Sequence, residues 1–291
     1  MLRALIKTMR PRQWPKNAAI FAAVIFDRQL SLTNLVPLGR SFAAFILLCM
    51  LSSSIYIIND ILDVESDRHH PTKRHRPIAA GKLPIRVAVI AAVALILVTL
   101  PLAYLLAPML AWIALGYFLV NLAYSTKLKH VPLVDVLIIA MGFVLRVAAG
   151  VAVIQVERFS PWLYVVTTLL ALYIGFGKRR AELTLLESKA HTHRRVLEGY
   201  NLPFLDHLIT IVSSSTIMTY SLYTFSAPNL PANHAMMLTI PFVMYGIFRY
   251  LYLIHVRHEG GAPEELLLTD RPLQIDILLY GLAVLIIFYI I

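Results

Sequence analysis

The sequence predicts an all-α polytopic membrane protein, a single bundle of nine transmembrane helices. Three observations carry that prediction. Hydrophobic residues make up 59% of the 291-residue chain and charged residues only 14%, far from the balance of a water-soluble domain. Apolar runs recur from end to end with no long polar linker, which argues for one membrane domain over residues 1–291. The cations are also segregated. Arg28, Arg40 and Arg158 fall on one set of loops, Arg146 and Arg249 lie inside apolar runs, and the rest of the 26 Lys and Arg sit on the opposite loops. That asymmetry puts the N-terminus in the cytoplasm and, after nine spans, the C-terminus outside. The formal net charge of +10 is therefore topological, and nucleic acid is not the partner it implies. The single cysteine, Cys49, sits in an apolar run, so there is no disulfide framework.

Each element follows from its stretch. Residues 1–14 are amphipathic and basic, without a cleavage site after an apolar core, and belong in the membrane interface. The first span, Pro15 to Gln29, is short for a bilayer and is entered through Arg10-Pro11-Arg12-Gln13-Trp14. The second runs from Ser41 to Asp67, the third from Ile85 to Leu106 and the fourth from Met109 to Thr126, with Pro108 at the turn between the last two. The remaining five are Leu133 to Val156, Pro161 to Gly177, Leu205 to Phe225, Met236 to His255 and Leu273 to Ile291. Helices are required because backbone polar groups must be satisfied within each segment, and none of these runs alternates like a barrel strand.

The stretch from Asn59 to Gly81, NDILDVESDRHHPTKRHRPIAAG, concentrates carboxylates and then cations where a helix leaves hydrocarbon. A carboxylate deep in a bilayer costs roughly 3 kcal/mol, so such clustering calls for a compensating cation. At helical spacing Asn59, Asp63 and Asp67 share one stripe, with Asp60 one residue aside. Mg²⁺ prefers such oxygen donors and joins them to substrate phosphates. A solvated helix end is the plainer explanation, but the length of Asn-Asp-x-x-Asp-x-x-x-Asp followed by Arg-Pro-x-x-x-Gly favours a site. Arg68, Lys73 and Arg76 supply positive charge for phosphate oxygens.

Further polar positions recur on the cation-rich side. Tyr124, Lys127 and Lys129 follow the fourth span, and the fifth carries Asp135 and Arg146 three turns apart, spaced to face one polar cavity. Gly175-Phe176-Gly177-Lys178-Arg179-Arg180-Ala181-Glu182 closes the sixth span, its glycines allowing close backbone approach before a second group of cations. Arg249 is an intramembrane cation that needs a carboxylate or a lipid phosphate, and Asp270 caps the last helix. The histidines at 69, 70, 75, 191 and 193 have no zinc-site spacing.

Asn59, Asp60, Asp63 and Asp67, with Arg76, Pro77 and Gly81, resemble the first aspartate-rich motif of the UbiA-type superfamily of membrane prenyltransferases. The resemblance implies a diphosphate held through Mg²⁺, with Asp60, Asp63 and Asp67 as ligands and Asn59 beside them in a catalytic group. At the end of the sixth span Lys178, Arg179, Arg180 and Glu182 stand where the aromatic- and quinone-type members carry a second aspartate-rich motif. Together with Arg10-Pro11-x-Gln13-Trp14-x-Lys16-Asn17, Asp135 to Arg146, and Pro263-Glu264-Glu265 to Asp270-Arg271-Pro272-Leu273, this pattern is similar to the decaprenyl-phosphate phosphoribosyltransferases. That likeness implies transfer of 5-phosphoribose from phosphoribosyl diphosphate to a polyprenyl phosphate, for cell-wall arabinose precursors, in a bacterial-type plasma membrane. It implies substrate-binding roles for Lys16, Asn17, Arg68, Lys73, Arg76, Tyr124, Lys127, Lys129, Asp135, Arg146, Lys178, Arg179, Glu182 and Arg249. Prenyl transfer to an aromatic or glyceryl acceptor is the alternative, and lipid-phosphate transport the non-enzymatic one. An oligomer is left open.

Overall fold

The computed structural model describes all residues except 32, 155–159, 188–194, 228–229, 260, 262 and 291, and no side chains at 185–187, 195, 264 and 265. Val156, Arg158, His191, His193 and Ile291, named above, lie outside the described residues. Among the described residues every regular element is helical: α1 (Leu2–Thr8), α2 (Phe21–Phe26), α3 (Val36–Leu62), α4 (Val64–His69), α5 (Ile85–Leu106), α6 (Pro108–Thr126), α7 (Val134–Val153), α8 (Pro161–Glu187), α9 (Leu202–Ser226), α10 (Ile240–His255), α11 (Pro263–Thr269) and α12 (Arg271–Tyr289). Short 3-10 helices join several of them.

Six of these segments are long and apolar enough to cross a membrane: α3, α5, α6, α7, α12, and α10 extended back to Ala235. Their outward faces suit hydrocarbon. On α5, Ile90, Leu97 and Leu105 are 69%, 67% and 80% exposed, an apolar surface too extensive for water. The protein is a multi-pass membrane protein. The stretch expected as the first span instead forms a 3-10 helix, Pro11–Ile20, followed by the short α2. Pro15 lies within that 3-10 segment, where its missing N–H and fixed φ disfavour a regular α-helix. The second expected span breaks at Asp63 (φ −91°, ψ 6°) into α3 and α4. The sixth continues ten residues beyond its expected end at Gly177, so Lys178 to Glu182 are helical.

The chain forms two compact units, residues 1–126 with 145–156, and residues 127–144 with 157–291. In the first, Ile20, Val24, Leu48, Leu51, Leu110 and Ala149 belong to one buried cluster, and Ile57, Val64, Ile78, Leu83, Ala88 and Ala92 form another beneath the aspartate-rich stretch. Gly150 is required there, because a Cβ on it would collide with the backbone carbonyl of Ile20. In the second, Val136, Tyr173, Phe176, Leu205, Ile209, Ile247 and Tyr250 belong to the core. The two glycines before Lys178 leave room for side chains of neighbouring helices rather than for another backbone. Gly175 lies against Val136, and Gly177 against Tyr250 and Ile254.

Candidate active site

In the first unit the aspartates are gathered by arginines. Asp60 and Asp67 are each 2% exposed. Asp60 Oδ1 accepts from Arg10 Nη2 at 2.5 Å and lies 3.3 Å from Arg76 Nη1, which also donates to Asp67 Oδ2 at 2.6 Å. Two buried carboxylates and two guanidiniums thus form one formally neutral cluster, the arrangement that makes burial of such charges tolerable. The Arg-Pro-x-x-x-Gly pattern explains how Arg76 is delivered. Ala80 N–H donates to Arg76 O, and Lys82 and Leu83 N–H donate to Pro77 O, closing a compact turn that ends at Gly81 with φ +70°. Ile78 and Leu83, 2% and 1% exposed, root that turn in the core.

The helix break changes the expected register. With α3 ending at Leu62, the i, i+4, i+8 stripe through Asn59, Asp63 and Asp67 is interrupted, and the pair brought onto one guanidinium is Asp60 and Asp67. Asp63 is half-buried at the break. Asn59 keeps a buried Oδ1 with no hydrogen-bond partner among the described residues, an oxygen available to a ligand. Among the described residues no three acidic, His or Cys side chains gather closely enough to cage a metal ion. Mg²⁺ fits this donor set nevertheless, because it is commonly bound by one or two carboxylates completed by water and substrate phosphates.

The same unit holds a second polar knot around Arg146, which is 7% exposed on α7. Its Nε donates to Asn17 Oδ1 at 2.8 Å, its Nη2 to Tyr117 OH at 2.7 Å, and its guanidinium lies 5.0 Å from the Tyr117 ring centroid. Asn17 in turn donates to Ser52 and to the Cys49 sulfur. Lys16 and Tyr124 are half-buried, and Lys73 is exposed. Arg68 pairs with Glu65 at 2.8 Å on the surface, an interaction worth about 0–1 kcal/mol.

In the second unit Asp135, with 0% exposure, is the hub. Its Oδ2 accepts from Arg179 Nε at 2.6 Å and its Oδ1 from Tyr200 OH at 2.8 Å, while Arg179 Nη1 reaches Glu182 at 2.5 Å. Burial, with the neighbouring Asp135 carboxylate adding to it, holds the Tyr200 phenol above the usual tyrosine range, so it stays a donor. Asp135 and Arg146, expected to face one cavity, therefore have separate partners in separate units. Lys178 is half-buried with no ion pair among the described residues, Lys127 is exposed and Lys129 half-buried. Arg249 meets a carboxylate: it forks onto Asp270 at 2.7 and 3.1 Å, and Asp270 also caps α12 by accepting from Leu273 N–H.

Sequence reasoning missed Arg10, Tyr117, Tyr200 and Asp206, the last paired with Arg180 at 2.5 Å. Arg10 did stand in a quoted block, but nothing in the order of residues ties it to an aspartate fifty positions on. The model of the UbiA prenyltransferase family matches residues 19–266. The chain belongs to that family. Within it, the chain is 35% identical to decaprenyl-phosphate phosphoribosyltransferase of Corynebacterium glutamicum over 274 residues, 93% of this chain and 82% of that protein. The counterpart from Mycobacterium tuberculosis is 32% identical over 280 residues, covering 94% and 91%. A solved UbiA homolog from Archaeoglobus fulgidus bound to GPP and Mg²⁺ matches with a TM-score of 0.73 at 18% identity, covering 99% of this chain and 100% of that one. That likeness establishes the UbiA fold.

Proposed function

We propose that this UbiA-family chain transfers 5-phosphoribose from phosphoribosyl diphosphate to a polyprenyl phosphate and releases diphosphate. The observation that carries the choice of substrates is similarity over nearly the whole chain to proteins named for that reaction. The residues suit it. As the C1–oxygen bond to diphosphate breaks, positive charge grows on the ribose and negative charge on the leaving group, while a phosphate oxygen of the lipid forms the new bond to C1. The acceptor is already an anion, so no proton need be removed from it. Asp60 and Asp67, with Asp63 and Asn59 beside them, would hold Mg²⁺, which when bound supplies charge neutralisation to the departing diphosphate. Arg76 and Arg68 add guanidiniums for phosphate oxygens. Lys178, the half-buried cation of α8 with no ion pair among the described residues, is a candidate for a further phosphate. Arg179 and Asp135 support that segment through their own ion pair.

The same reading makes the whole chain one catalytic membrane domain of nine spans. Residues 1–14 lie in the interface, the N-terminus and the aspartate-rich stretch face the cytoplasm, and the C-terminus is outside. The proposed setting is a bacterial-type plasma membrane, where the product would serve as a lipid-linked arabinose precursor. The test is to incubate purified protein in lipid with Mg²⁺, labelled phosphoribosyl diphosphate and decaprenyl phosphate, and to analyse the lipid by mass spectrometry. A phosphoribosylated lipid is expected. No such lipid, together with alkylation of an aromatic acid by a prenyl diphosphate, would replace this function with the prenyl-transfer one.

A further inference from the structure

Arg10 occupies a place in the backbone that its residue type does not favour. Its φ of +52° and ψ of +62° lie in the left-handed region, which is unfavourable for a non-glycine residue. Such conformations persist where surrounding structure enforces them, and they gather at ligand clamps. Here the enforcement is visible. Ser53 Oγ on α3 lies 3.2 Å from Met9 O and accepts from Trp14 Nε1 at 3.0 Å, while Gln13 N–H donates to Arg10 O at 2.9 Å. The chain on both sides of the kink is thereby tied to α3, and the Arg10 guanidinium lies 5.0 Å from the Tyr56 ring centroid with Nη2 on Asp60. Arg10 also precedes residues 19–266, the stretch matched by the family model.

We infer that Arg10 is a donor-binding residue that exchanges partners, held on Asp60 until a metal–diphosphate unit arrives and then placed on a diphosphate oxygen. The inference rests on the proposed metal–diphosphate site. Asp60, Asp67, Arg10 and Arg76 are formally neutral as a group, so a divalent ion entering alone must compete with two guanidiniums for the same carboxylate oxygens. An ion entering with diphosphate brings anionic oxygens that take up the displaced guanidiniums. Arg10 is the more mobile of the two in this exchange. Its side chain is 31% exposed and contacts Asp60 alone of the two acids, whereas Arg76 bridges both and is fixed by the turn from Pro77 to Leu83. The consequence is a linkage: Arg10 weakens the binding of metal alone and strengthens the binding of donor with metal, so the two ligands favour each other.

The test measures binding rather than turnover, with Mn²⁺ as the spectroscopic probe and protein in lipid nanodiscs. Free Mn²⁺ is followed by electron paramagnetic resonance, first alone and then with phosphoribosyl diphosphate. For Arg10→Ala the expected results have opposite signs. Mn²⁺ alone binds about tenfold tighter than to wild type, and phosphoribosyl diphosphate at saturating Mn²⁺ binds about tenfold weaker, within the usual range of coupling between sites. Arg10→Lys keeps the charge without the fork and should fall between, which decides the matter if the alanine variant folds poorly. Unchanged or weaker binding of Mn²⁺ alone in both variants overturns the competition, and unchanged donor affinity overturns the contact with diphosphate. Asp60→Asn separates the two levels. If it binds Mn²⁺ as wild type does, the metal site itself is wrong; if it loses Mn²⁺ while the Arg10 variants behave as wild type, only the exchange is wrong.

Discussion

Replacing Arg179 by alanine strips the charge partner from a carboxylate with no exposure. Among the described residues Asp135 then keeps the Tyr200 hydroxyl, while Glu182, whose side chain is 23% exposed, loses its bond to Arg179. The loss at Asp135 dominates. Removing one member of a buried ion pair costs about 3–5 kcal/mol, because the other charge stays behind in a low-dielectric site. At about 1.4 kcal/mol per tenfold, the middle of that range lowers the folded-to-unfolded ratio by roughly three orders of magnitude. Lys178→Ala, one residue away, breaks no ion pair among the described residues and should cost less than about 1 kcal/mol. The double change Asp135→Asn with Arg179→Gln removes both charges of the buried pair and should recover part of the stability lost in Arg179→Ala. Equilibrium unfolding in mixed micelles, followed by circular dichroism, measures all three, with the KM for phosphoribosyl diphosphate determined on the folded fraction. Expected are a large stability loss for Arg179→Ala and a raised KM with near-normal stability for Lys178→Ala. An Arg179→Ala variant that unfolds like wild type but binds donor poorly would refute the argument and make Arg179 a substrate ligand.

Three other outcomes concern the scaffold. Gly150→Ala should destabilise the first unit by about 1–3 kcal/mol, because the added methyl meets the Ile20 carbonyl. Gly116→Ala on α6, with nothing within 4 Å, should be neutral or slightly stabilising in the same assay. Asp270 has a carboxyl held below its ordinary range, first by its bonds to Arg249 and then by the Leu273 N–H, against the opposing effect of burial. Because its folded pKa lies below the unfolded value near 4, its contribution is complete above that value and lost as pH falls through the folded pKa. The unfolding midpoint of Asp270→Asn should therefore differ from wild type at pH 7 and converge with it on acidification; a constant gap down to pH 2 would contradict the pairing.

Much of the architecture was legible because lipid constrains it. The runs Ile85–Leu106 and Pro108–Thr126 announce their helices through unbroken apolarity, and the turn at Pro108 marks where one yields to the next. Less legible was everything decided by partners distant in the chain. Periodicity assumed a continuous helix through Asp63, yet the helix ends at Leu62, so the converging acids are Asp60 and Asp67. Arg146 and Asp135 share a helix and a face by spacing, but Asn17 and Tyr117 claim one while Arg179 and Tyr200 claim the other. Capping by Asp270 was readable because its signal is local; its fork with Arg249 was not, since a bidentate pair depends on how α10 packs near the start of α12.

Formation of labelled lipid from phosphoribosyl diphosphate and decaprenyl phosphate, followed across a Mg²⁺ titration for wild type and Asp67→Asn, probes the chemistry at its source. A divalent ion on the buried acids requires kcat/KM, determined on the folded fraction, to fall by about 10²–10³ in the variant. Wild-type turnover and an unshifted Mg²⁺ dependence in Asp67→Asn would show that the departing diphosphate is stabilised elsewhere.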